Sequence, residues 1–367
     1  MTGIGFVGCG DISGIYLTNI TNLFKDLKIV GVTDLIRERA ERAAKEYDIG
    51  KIYKDMHELF ADPEVDIVLN ITRPYEHFDV SMAALNAGKH LYSEKPLGAS
   101  LEEAQKIMAL AKEKNLYIGG APDTFLGAGL QTCRKLLDEG AIGDIFGASA
   151  YMVCRGHETW HHDPEFYYKY GGGPMLDMGP YYLTALVSLL GPVKTVAGMT
   201  KISMAKRTIT SQPKNGTIIS VDVPTYITGM MNFSSGAIGT IFTTFDAYIA
   251  QVPRIEIYGS EGTLCVPDPN FFDGPVRLFK AGAEDFVEMP LQFEYPENSR
   301  ALGLADMAKA IETGRINRAN GDLLFHINEI MQGFHTASDE QTFINIKTTV
   351  ERPAPMTIPT QKGKYDA

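Results

Sequence analysis

The sequence has few cysteines and no long apolar run. Its four cysteines, Cys9, Cys133, Cys154 and Cys265, are scattered and include no Cys-x-x-Cys pair, which argues against a disulfide framework and for reduced thiols. No apolar stretch approaches the ~20 residues that a membrane-spanning helix needs, and the chain enters an apolar strand directly, without the basic segment and cleavage site of a secretory signal. These absences predict a cytoplasmic protein.

Positive charge is scarce as well. The 34 lysines and arginines are outnumbered by 45 aspartates and glutamates, which leaves a formal net charge of -11. This balance argues against nucleic acid or an anionic membrane as a partner. The 367 residues, of which 44% are hydrophobic and 22% charged, are enough for two domains that each bury a core.

Apolar strands and helices alternate through the first third of the chain. Strands are expected at residues 2–7, 27–33, 65–70, 91–93 and 116–119. This alternation is typical of βαβ units with right-handed crossovers. It predicts a doubly wound parallel sheet in a nucleotide-binding domain of residues 1–122, with residues 123–367 forming a second domain.

A glycine turn joins the first strand to the first helix. Gly8 permits a tight turn, Gly10 lets the backbone approach a pyrophosphate, and the helix that follows presents free N–H groups at its N-terminus. Ser13 stands where the dinucleotide fingerprint has a third small residue. We therefore expect the turn, including Asp11 and Ile12, to contact the cofactor.

An acidic residue ends the second strand. Asp34 lies 24 positions after Gly10, close to the ~20 expected for the acid that binds the adenosine ribose. An aspartate repels a 2′-phosphate and so favours NAD, whereas the nearby Arg37 and Arg39 keep NADP possible. The alternative is that Asp34 caps the next helix, and both roles are compatible.

Two further strand ends carry polar residues. Thr72 and Pro74 follow the third strand, where a nicotinamide ring can rest, and His77 either faces the same crevice or simply starts a helix. Glu94, Lys95 and Pro96 follow the fourth strand. Because proline biases the preceding residue toward an extended backbone, Lys95 is aimed at the crevice beyond the strands. The alternative is an exposed Glu-Lys pair of no consequence.

The pattern changes after Pro122, where strands follow one another without helices. This predicts a large, mostly antiparallel sheet in an α+β domain. Many of its strands alternate polar and apolar residues, so one face packs on helices. The other face is expected to meet another subunit in a homodimer or homotetramer.

One stretch of the second domain matches His-Glu-x-x-His, from His157 to His161. That zinc pattern requires a helix, and Gly156, Pro164 and poor helix formers argue against one, so no metal site is expected. We interpret the stretch as a loop lining a polar pocket. Arg155, Trp160 and His161 are candidates to hold a hydroxylated substrate.

A second stretch runs from Gly171 through Gly173 to Asp177 and Tyr181. The glycines allow close chain approach, and a spacing of four places the carboxylate and the phenol on one helical face. The alternative is an N-cap aspartate followed by a core tyrosine.

Taken in order, the turn at Gly8, Asp34, Glu94-Lys95-Pro96 and the glycine stretch before Asp177 resemble the glucose–fructose oxidoreductase / inositol dehydrogenase / MocA (Gfo/Idh/MocA) family. The resemblance covers the whole chain and implies a Rossmann domain, a sheet domain that often forms oligomers, and a catalytic role for Lys95. Many members have Asp-x-Gly-x-His-x-x-Asp where this chain has Tyr181 and Thr184. Some branches of the family are similar in having tyrosine there.

The resemblance predicts an NAD(P)-dependent oxidoreductase acting on a hydroxyl or carbonyl carbon of a sugar, cyclitol or derivative. Tyr181 is expected to be the acid/base, with a pKa lowered by Lys95, while Asp177 orients the substrate or Lys95. Glu94 and Lys95 are also expected beside the cofactor. The alternatives are an NAD-dependent glycosidase that oxidises a sugar transiently and a non-catalytic nucleotide-sensing regulator.

Overall fold

A parallel sheet forms the first part of the chain in this computed structural model, which describes residues 1–357. The strand order is β2-β1-β3-β4-β5, and every neighbouring pair is parallel. The strands are β1 (Thr2–Val7), β2 (Leu27–Thr33), β3 (Ile67–Asn70), β4 (His90–Ser93) and β5 (Ile118–Gly120). The helices between them are α1 (Ser13–Asn22), α2 (Arg37–Glu46), α3 (Met56–Ala61), α4 (His77–Asn86) and α5 (Leu101–Glu113).

The order of this sheet reverses at β1, which confirms the doubly wound prediction. In such sheets a ligand crevice opens where the carboxyl ends of the strands on either side of the reversal diverge. Here that point lies between the loops after β1 and β3. All four residues of β3 are buried, as expected for a strand covered by helices on both faces.

A nine-stranded sheet dominates the second part, in the order β15-β14-β13-β12-β6-β11-β10-β7-β16. Only the β6–β11 pair within it is parallel, so the prediction of a mostly antiparallel sheet is confirmed. Its strands are β6 (Ile145–Val153), β7 (Val193–Lys201), β10 (Tyr226–Phe233), β11 (Ile238–Thr244), β12 (Ile255–Gly259), β13 (Gly262–Val266), β14 (Val276–Lys280), β15 (Val287–Met289) and β16 (Ile344–Asn345), while β8 (Lys206–Thr208) and β9 (Ile218–Ser220) pair separately. Its helices are α6 (Ala128–Asp138), α7 (Pro174–Asp177), α8 (Gly179–Leu190), α9 (Leu302–Thr313) and α10 (Gly321–Glu340).

Helix α10 covers the inner face of this sheet at close range. Gly198 of β7 and Gly229 of β10 are paired neighbours, and both lie under the ring of Phe334. A Cβ at Gly229 would approach that ring to 2.3 Å, so a side chain there would push the helix off the sheet. The outer face stays open, and β10 alternates exposed and buried residues along its whole length.

The two parts of the chain are also tied together by α10 and the segment just before it. The backbone N–H of Gly120 donates to Ala319 O at 3.2 Å, and Leu324 packs into the apolar cluster around Ile118. The second part therefore shields the β5 edge of the first sheet. The division at residue 122 stays a prediction.

The strand pattern of the second part differs in places from what its sequence suggests. Residues 218–233 have the apolar pattern of a single strand, but they form two, β9 and β10, because Pro224 between them has no N–H to donate to a ladder. Strands β14 and β15 are too short for their sequences to indicate them; β14 is half-buried and β15 is largely exposed. The proline-rich end over 352–367 is predicted from its sequence to be an extended tail, and it lies partly outside the described residues. Within residues 1–357, no helix has the length and apolar character needed to cross a membrane.

His326 makes the stability of this fold depend on pH. Its Nε2 lies 3.0 Å from the N–H of Val193 and its Nδ1 lies 2.7 Å from Thr348 Oγ1. Burial lowers the pKa of His326 to about 4. Between pH 4 and the ordinary pKa of about 6.5, His326 is protonated in the unfolded chain but neutral in the folded chain. The free energy of unfolding therefore decreases as pH falls through this range.

We therefore expect the contribution of His326 to the free energy of unfolding to be largest above pH 6.5. As pH falls toward 4, this contribution should decrease by roughly 3 kcal/mol. The comparison is urea unfolding of the wild type and of His326→Gln, which can still accept from Val193 but does not titrate. Parallel pH dependences in the two proteins would contradict the assignment to His326.

Candidate active site

Lys95 lies at the carboxyl end of β4, in a turn that contains a cis Lys95–Pro96 bond. The turn is held from behind by Glu94, which is only 7% exposed. The Glu94 carboxylate accepts from the Tyr16 hydroxyl at 2.8 Å and from the Lys95 N–H at 3.1 Å. The backbone position of Lys95 is thus fixed by a buried hydrogen-bonded acid.

The ammonium of Lys95 meets Asp177, which ends α7. Its Nζ donates to Asp177 Oδ1 and to Asp177 O, both at 2.7 Å, and the two side chains are only 17% and 12% exposed. Burial alone would lower the pKa of Lys95 and raise that of Asp177, but their mutual attraction reverses both directions. Both groups therefore stay charged at neutral pH, and the alternative of an exposed surface pair is wrong.

Tyr181 completes this cluster from the first turn of α8. It is 6% exposed, and Lys95 Nζ lies 5.4 Å from the centre of its ring. Burial raises the pKa of Tyr181, and this outweighs the opposite effects of Lys95 and Arg300. The expectation that Lys95 brings the pKa down toward working pH is therefore wrong, and the phenol keeps its proton at neutral pH.

A histidine that the sequence did not single out joins the cluster. His157 Nε2 lies 3.3 Å from Asp177 Oδ2, on the opposite side of the carboxylate from Lys95. Only residues 157–159 form a short 3-10 helix, so the zinc-type helix is absent there. Glu158 is not a free base either, since Arg207 Nη1 donates to it at 2.6 Å in a buried ion pair.

The other two histidines of this stretch face the glycine turn. Asp11 Oδ2 lies 3.4 Å from His161 Nε2 and 3.6 Å from His162 Nδ1. This is the one group within residues 1–357 with the spacing of a metal site. However, His161 Nδ1 accepts the Asp163 N–H at 3.0 Å, and burial lowers the pKa of His161. The ring proton is therefore on Nε2, toward Asp11, and a metal bound at Nε2 would cost the hydrogen bond from the Asp163 N–H.

The glycine turn has the shape that a dinucleotide requires. Gly8 has φ +104°, and a Cβ there would meet Ile71 O at 2.7 Å, whereas the space beside Gly10 is open. No side chain caps the N-terminus of α1, whose N-cap is Ile12. Room for a pyrophosphate and uncapped backbone N–H groups thus occur together, so the turn fits NAD.

Asp34 faces the same turn. Its Oδ2 accepts the Cys9 N–H and its Oδ1 accepts the Ile36 N–H, both at 2.7 Å. It is not the N-cap of α2, which is Ile36. The carboxylate is half-buried and retains lone pairs that can accept from ribose hydroxyls.

The loop after β3 is braced by buried side chains. Asn70 Oδ1 accepts from the Thr72 hydroxyl at 2.7 Å. The ring nitrogens of His77 lie 2.9 Å from Pro96 O and 3.0 Å from Thr72 O. His77 is buried at the start of α4, and burial lowers its pKa. Both ring nitrogens face backbone carbonyl oxygens, so His77 ties this loop to the Lys95 turn, and its contact with the cofactor stays a prediction.

The candidate substrate-binding residues of the second part lie in two different places. Trp160 is 65% exposed, and its ring lies 5.3 Å from that of His157, at the rim of the Lys95 cluster. Arg155 instead lies over the ring of Tyr248 at 4.7 Å and donates to Asp246 O. The structure therefore brings Trp160 to the cluster and directs Arg155 toward the neighbouring loop.

Both parts of the chain close on the crevice. A Cβ at Gly171 would lie 3.3 Å from Pro74 Cβ and 3.2 Å from Ala99 Cβ, which confirms the close approach expected of this glycine. Beside it, Arg73 pairs with Asp163 at 2.5 Å. The crevice and the Lys95 cluster thus share one wall.

Comparison with known proteins agrees with this geometry. Residues 2–119 match the model of an oxidoreductase family with an NAD-binding Rossmann fold (GFO_IDH_MocA), and residues 130–265 match the Gfo/Idh/MocA C-terminal domain. Together these matches span more than half of the chain.

Three similar proteins illustrate the relationship. Myo-inositol 2-dehydrogenase of Thermotoga maritima is 24% identical over 71% of this chain and 74% of its own length. The 1,5-anhydro-D-fructose reductase of Ensifer adhaerens is 28% identical over 78% of this chain and 81% of its own. A levoglucosan dehydrogenase solved with NADH and levoglucosan has the same fold, with a TM-score of 0.79 at 20% identity over 94% of this chain and 99% of that one.

Removing Lys95 should leave a buried charge without its partner. We expect Lys95→Met to lower the free energy of unfolding by about 3 kcal/mol, because Asp177 stays ionised in a site closed to water. In urea unfolding, Lys95→Met/Asp177→Asn should recover most of the loss. The control Lys106→Met breaks only an exposed pair with Glu102 and should change little. Equal losses in the single and double variants would contradict the coupling.

Proposed function

The chain belongs to the Gfo/Idh/MocA family of NAD-binding oxidoreductases, and we propose that it interconverts a hydroxyl and a carbonyl group on a sugar, cyclitol or derivative, in the cytoplasm. The observation that carries this proposal is the buried ion pair of Lys95 and Asp177 beside the crevice at the carboxyl ends of β1 and β3. A fixed ammonium at that position can stabilise negative charge on an alcohol oxygen.

When bound, NAD supplies the hydride acceptor or donor. Gly8, Gly10, Asp11 and Ile12 would hold its pyrophosphate at the N-terminus of α1. Asp34 would accept from the ribose hydroxyls and repel a 2′-phosphate, which favours NAD over NADP. Arg39 is half-buried, and its charge opposes the rise in pKa that burial causes at the Cys9 thiol beside Asp34. Arg39 would be the group that accommodates NADP.

Thr72 and Pro74 would lie against the nicotinamide end of the same crevice. Glu94 would act from behind, by fixing the turn that carries Lys95. These assignments follow from the positions of the residues at the strand ends and the hydrogen bonds that hold them.

Each side chain of the Lys95 cluster would have a separate role toward the substrate. Lys95 donates a hydrogen bond to the reacting oxygen, and Asp177 fixes the ammonium in place by accepting from it. Tyr181, whose phenol keeps its proton, donates a second hydrogen bond to the same oxygen. Two donors directed at one oxygen in a buried site stabilise it more as negative charge develops than in the neutral alcohol.

The substrate class rests on the relatives and on the loop at the rim. The printed activities of the relatives concern inositol and anhydrofructose, and the fold neighbour binds levoglucosan; all are polyhydroxylated rings. Trp160 offers an exposed aromatic face to such a ring, and His161 lies beside it, with ring centres 5.3 Å apart. Arg155 would contribute from the neighbouring loop.

The test is reduction of NAD with a panel of sugars, cyclitols and glycosides. We expect turnover with at least one polyol and a loss of at least 100-fold in kcat for Lys95→Ala, because the alkoxide loses its main stabilising charge. The exposed control Lys106→Ala should keep full activity. Release of free sugar from a glycoside without net NADH would replace the proposal by the glycosidase, and tight NAD binding with no turnover would replace it by the sensor.

We further propose that the outer face of the large sheet joins two or four copies of the chain. Apolar side chains are exposed on adjacent strands of this face, with Met199 75%, Met230 49% and Ile238 62% exposed. Tyr226, whose ring lies 4.8 Å from that of Phe242 between centres, extends the same surface. A contiguous apolar face of this kind is typical of a subunit interface.

Introducing charge on this face should separate the copies. We expect the wild type to elute as a dimer or tetramer in size-exclusion chromatography with light scattering, and Met230→Glu/Ile238→Glu to elute as a monomer, because two buried carboxylates per copy would lack partners. The control Ile316→Glu changes a residue that is 77% exposed on the link between α9 and α10 and should leave the mass unchanged. A monomeric wild type would contradict the proposal.

A further inference from the structure

The crevice of the first sheet is crossed by three consecutive residues of the second part, His161, His162 and Asp163, which we call the strap. At one end of the strap, Asp11 Oδ2 in the glycine turn after β1 lies 3.4 Å from His161 Nε2 and 3.6 Å from His162 Nδ1. At the other end, Asp163 Oδ2 lies 2.5 Å from Arg73 Nη2 in the loop after β3. The crevice opens between these two loops, so the strap reaches from one side of its mouth to the other.

The strap is anchored to the second part from behind. Ser211 Oγ donates to His161 O at 2.5 Å, and Lys214 Nζ donates to Asp163 Oδ1 at 2.6 Å. The ring of His161 also packs edge-on against that of Tyr167, with ring centres 5.3 Å apart. The strap therefore belongs to the second part, and its contacts with the two loops of the first part are the ones that close the crevice.

Asp163 makes the shortest of these closing contacts. Its two oxygens accept from different cations, Arg73 on the first part and Lys214 on the second. The guanidinium of Arg73 is directed by Tyr75, whose hydroxyl accepts from Nη1 at 2.9 Å, and it lies 5.7 Å from the centre of the Phe166 ring. Burial alone would raise the pKa of Asp163, but Lys214 and Arg73 lower it to about 2. The carboxylate is therefore ionised at neutral pH.

A dinucleotide in this crevice runs from one loop to the other. In the proposed function its pyrophosphate lies at Gly10 and its nicotinamide end lies beside Thr72 and Pro74. The strap crosses the same opening between those points, so a contact of the strap with one loop must open before the cofactor can enter or leave. Opening of a loop, and not the chemical step, limits the turnover of many enzymes.

We propose that the ion pair of Asp163 with Arg73 fastens the strap across the cofactor crevice and sets the rates at which the nicotinamide cofactor enters and leaves. The inference rests on the proposed function for the identity of the cofactor. Asp163 is a positioning residue in this inference, since it acts through the strap. The pair joins two groups of the protein, so its loss lowers the barrier in both directions and removes no contact of the bound cofactor. Both rates should therefore rise by similar factors, with little change in affinity.

The exposure of the pair makes this effect depend on salt. The side chains of Arg73 and Asp163 are 41% and 25% exposed, and Lys214 is also partly exposed. Charges in contact with solvent are screened by dissolved ions. Rising salt should thus loosen the strap of the wild type and have much less effect where the pair is already absent.

The chain carries its own probe for the measurement. Trp160 is its only tryptophan and directly precedes the strap, with its ring centre 5.3 Å from that of His161. Tryptophan emission is absorbed by NADH, so energy transfer from Trp160 follows binding and release of NADH without any turnover.

The decisive experiment is stopped-flow association and dissociation of NADH with the wild type, Asp163→Asn and Arg73→Gln. We expect both rate constants to rise about fivefold in each variant, as for the loss of a partly exposed ion pair, and Kd to stay within about twofold. The double variant should be no faster than the faster single variant. At high salt the wild type should approach the variants, which tests the pair without any substitution.

The two substitutions change the net charge in opposite directions. Simple attraction of the cofactor phosphates would therefore shift the two association rates in opposite directions, and that result would overturn the inference. Rates equal to those of the wild type would overturn it too, as would a raised Kd with unchanged association, because the pair would then hold the cofactor and not the strap. The control Lys28→Gln breaks only an exposed pair with Glu64 at the amino end of β2 and should match the wild type.

The same measurements separate this inference from the proposed function. NADH binding without turnover of any polyol would overturn the proposed function, while the rates of the variants would still decide the inference. Turnover of a polyol with wild-type NADH rates in both variants would overturn the inference alone. A wild type that does not bind NADH would overturn both.

Discussion

The ion pair of Lys95 and Asp177 is the interaction on which the site depends. The two residues are 82 positions apart and come from different parts of the fold, so their contact exists only when α7 is seated against the carboxyl end of β4. Each charge is buried at a cost that only the other offsets. The pair therefore joins the two parts of the chain and, by the same contact, holds a cation at the crevice.

Burial that sustains this pair also decides what its neighbours can do. Lys95 stays protonated because Asp177 faces it. The same buried environment raises the pKa of Tyr181, because a phenolate would be poorly solvated there. A single cation 5.4 Å from the ring does not compensate for the lost water. A nearby lysine lowers the pKa of a phenol, but desolvation raises it, and in this site desolvation is the larger effect.

Local features of the sequence predicted the fold and part of the site. Strand ends, the turn at Gly8 and the position of Lys95 before a proline depend on neighbouring residues, so they could be recognised from the sequence alone. The contact of His157 with Asp177 depends on how the loop after β6 folds back, and nothing in the spacing of these residues indicates it. The contact of His77 Nδ1 with Pro96 O is similar, because Pro96 belongs to another strand end.

The His-Glu-x-x-His stretch shows why the environment of a residue, and not its motif, determines its chemistry. Its three functional groups are present, but each faces a different partner: His157 faces Asp177, Glu158 faces Arg207, and His161 faces Asp11. A zinc ion needs two of these imidazoles on one helical face with free nitrogens. Separated as they are, one imidazole serves the charged cluster and the other meets the glycine turn, so the stretch connects the reacting end of the crevice with its phosphate end.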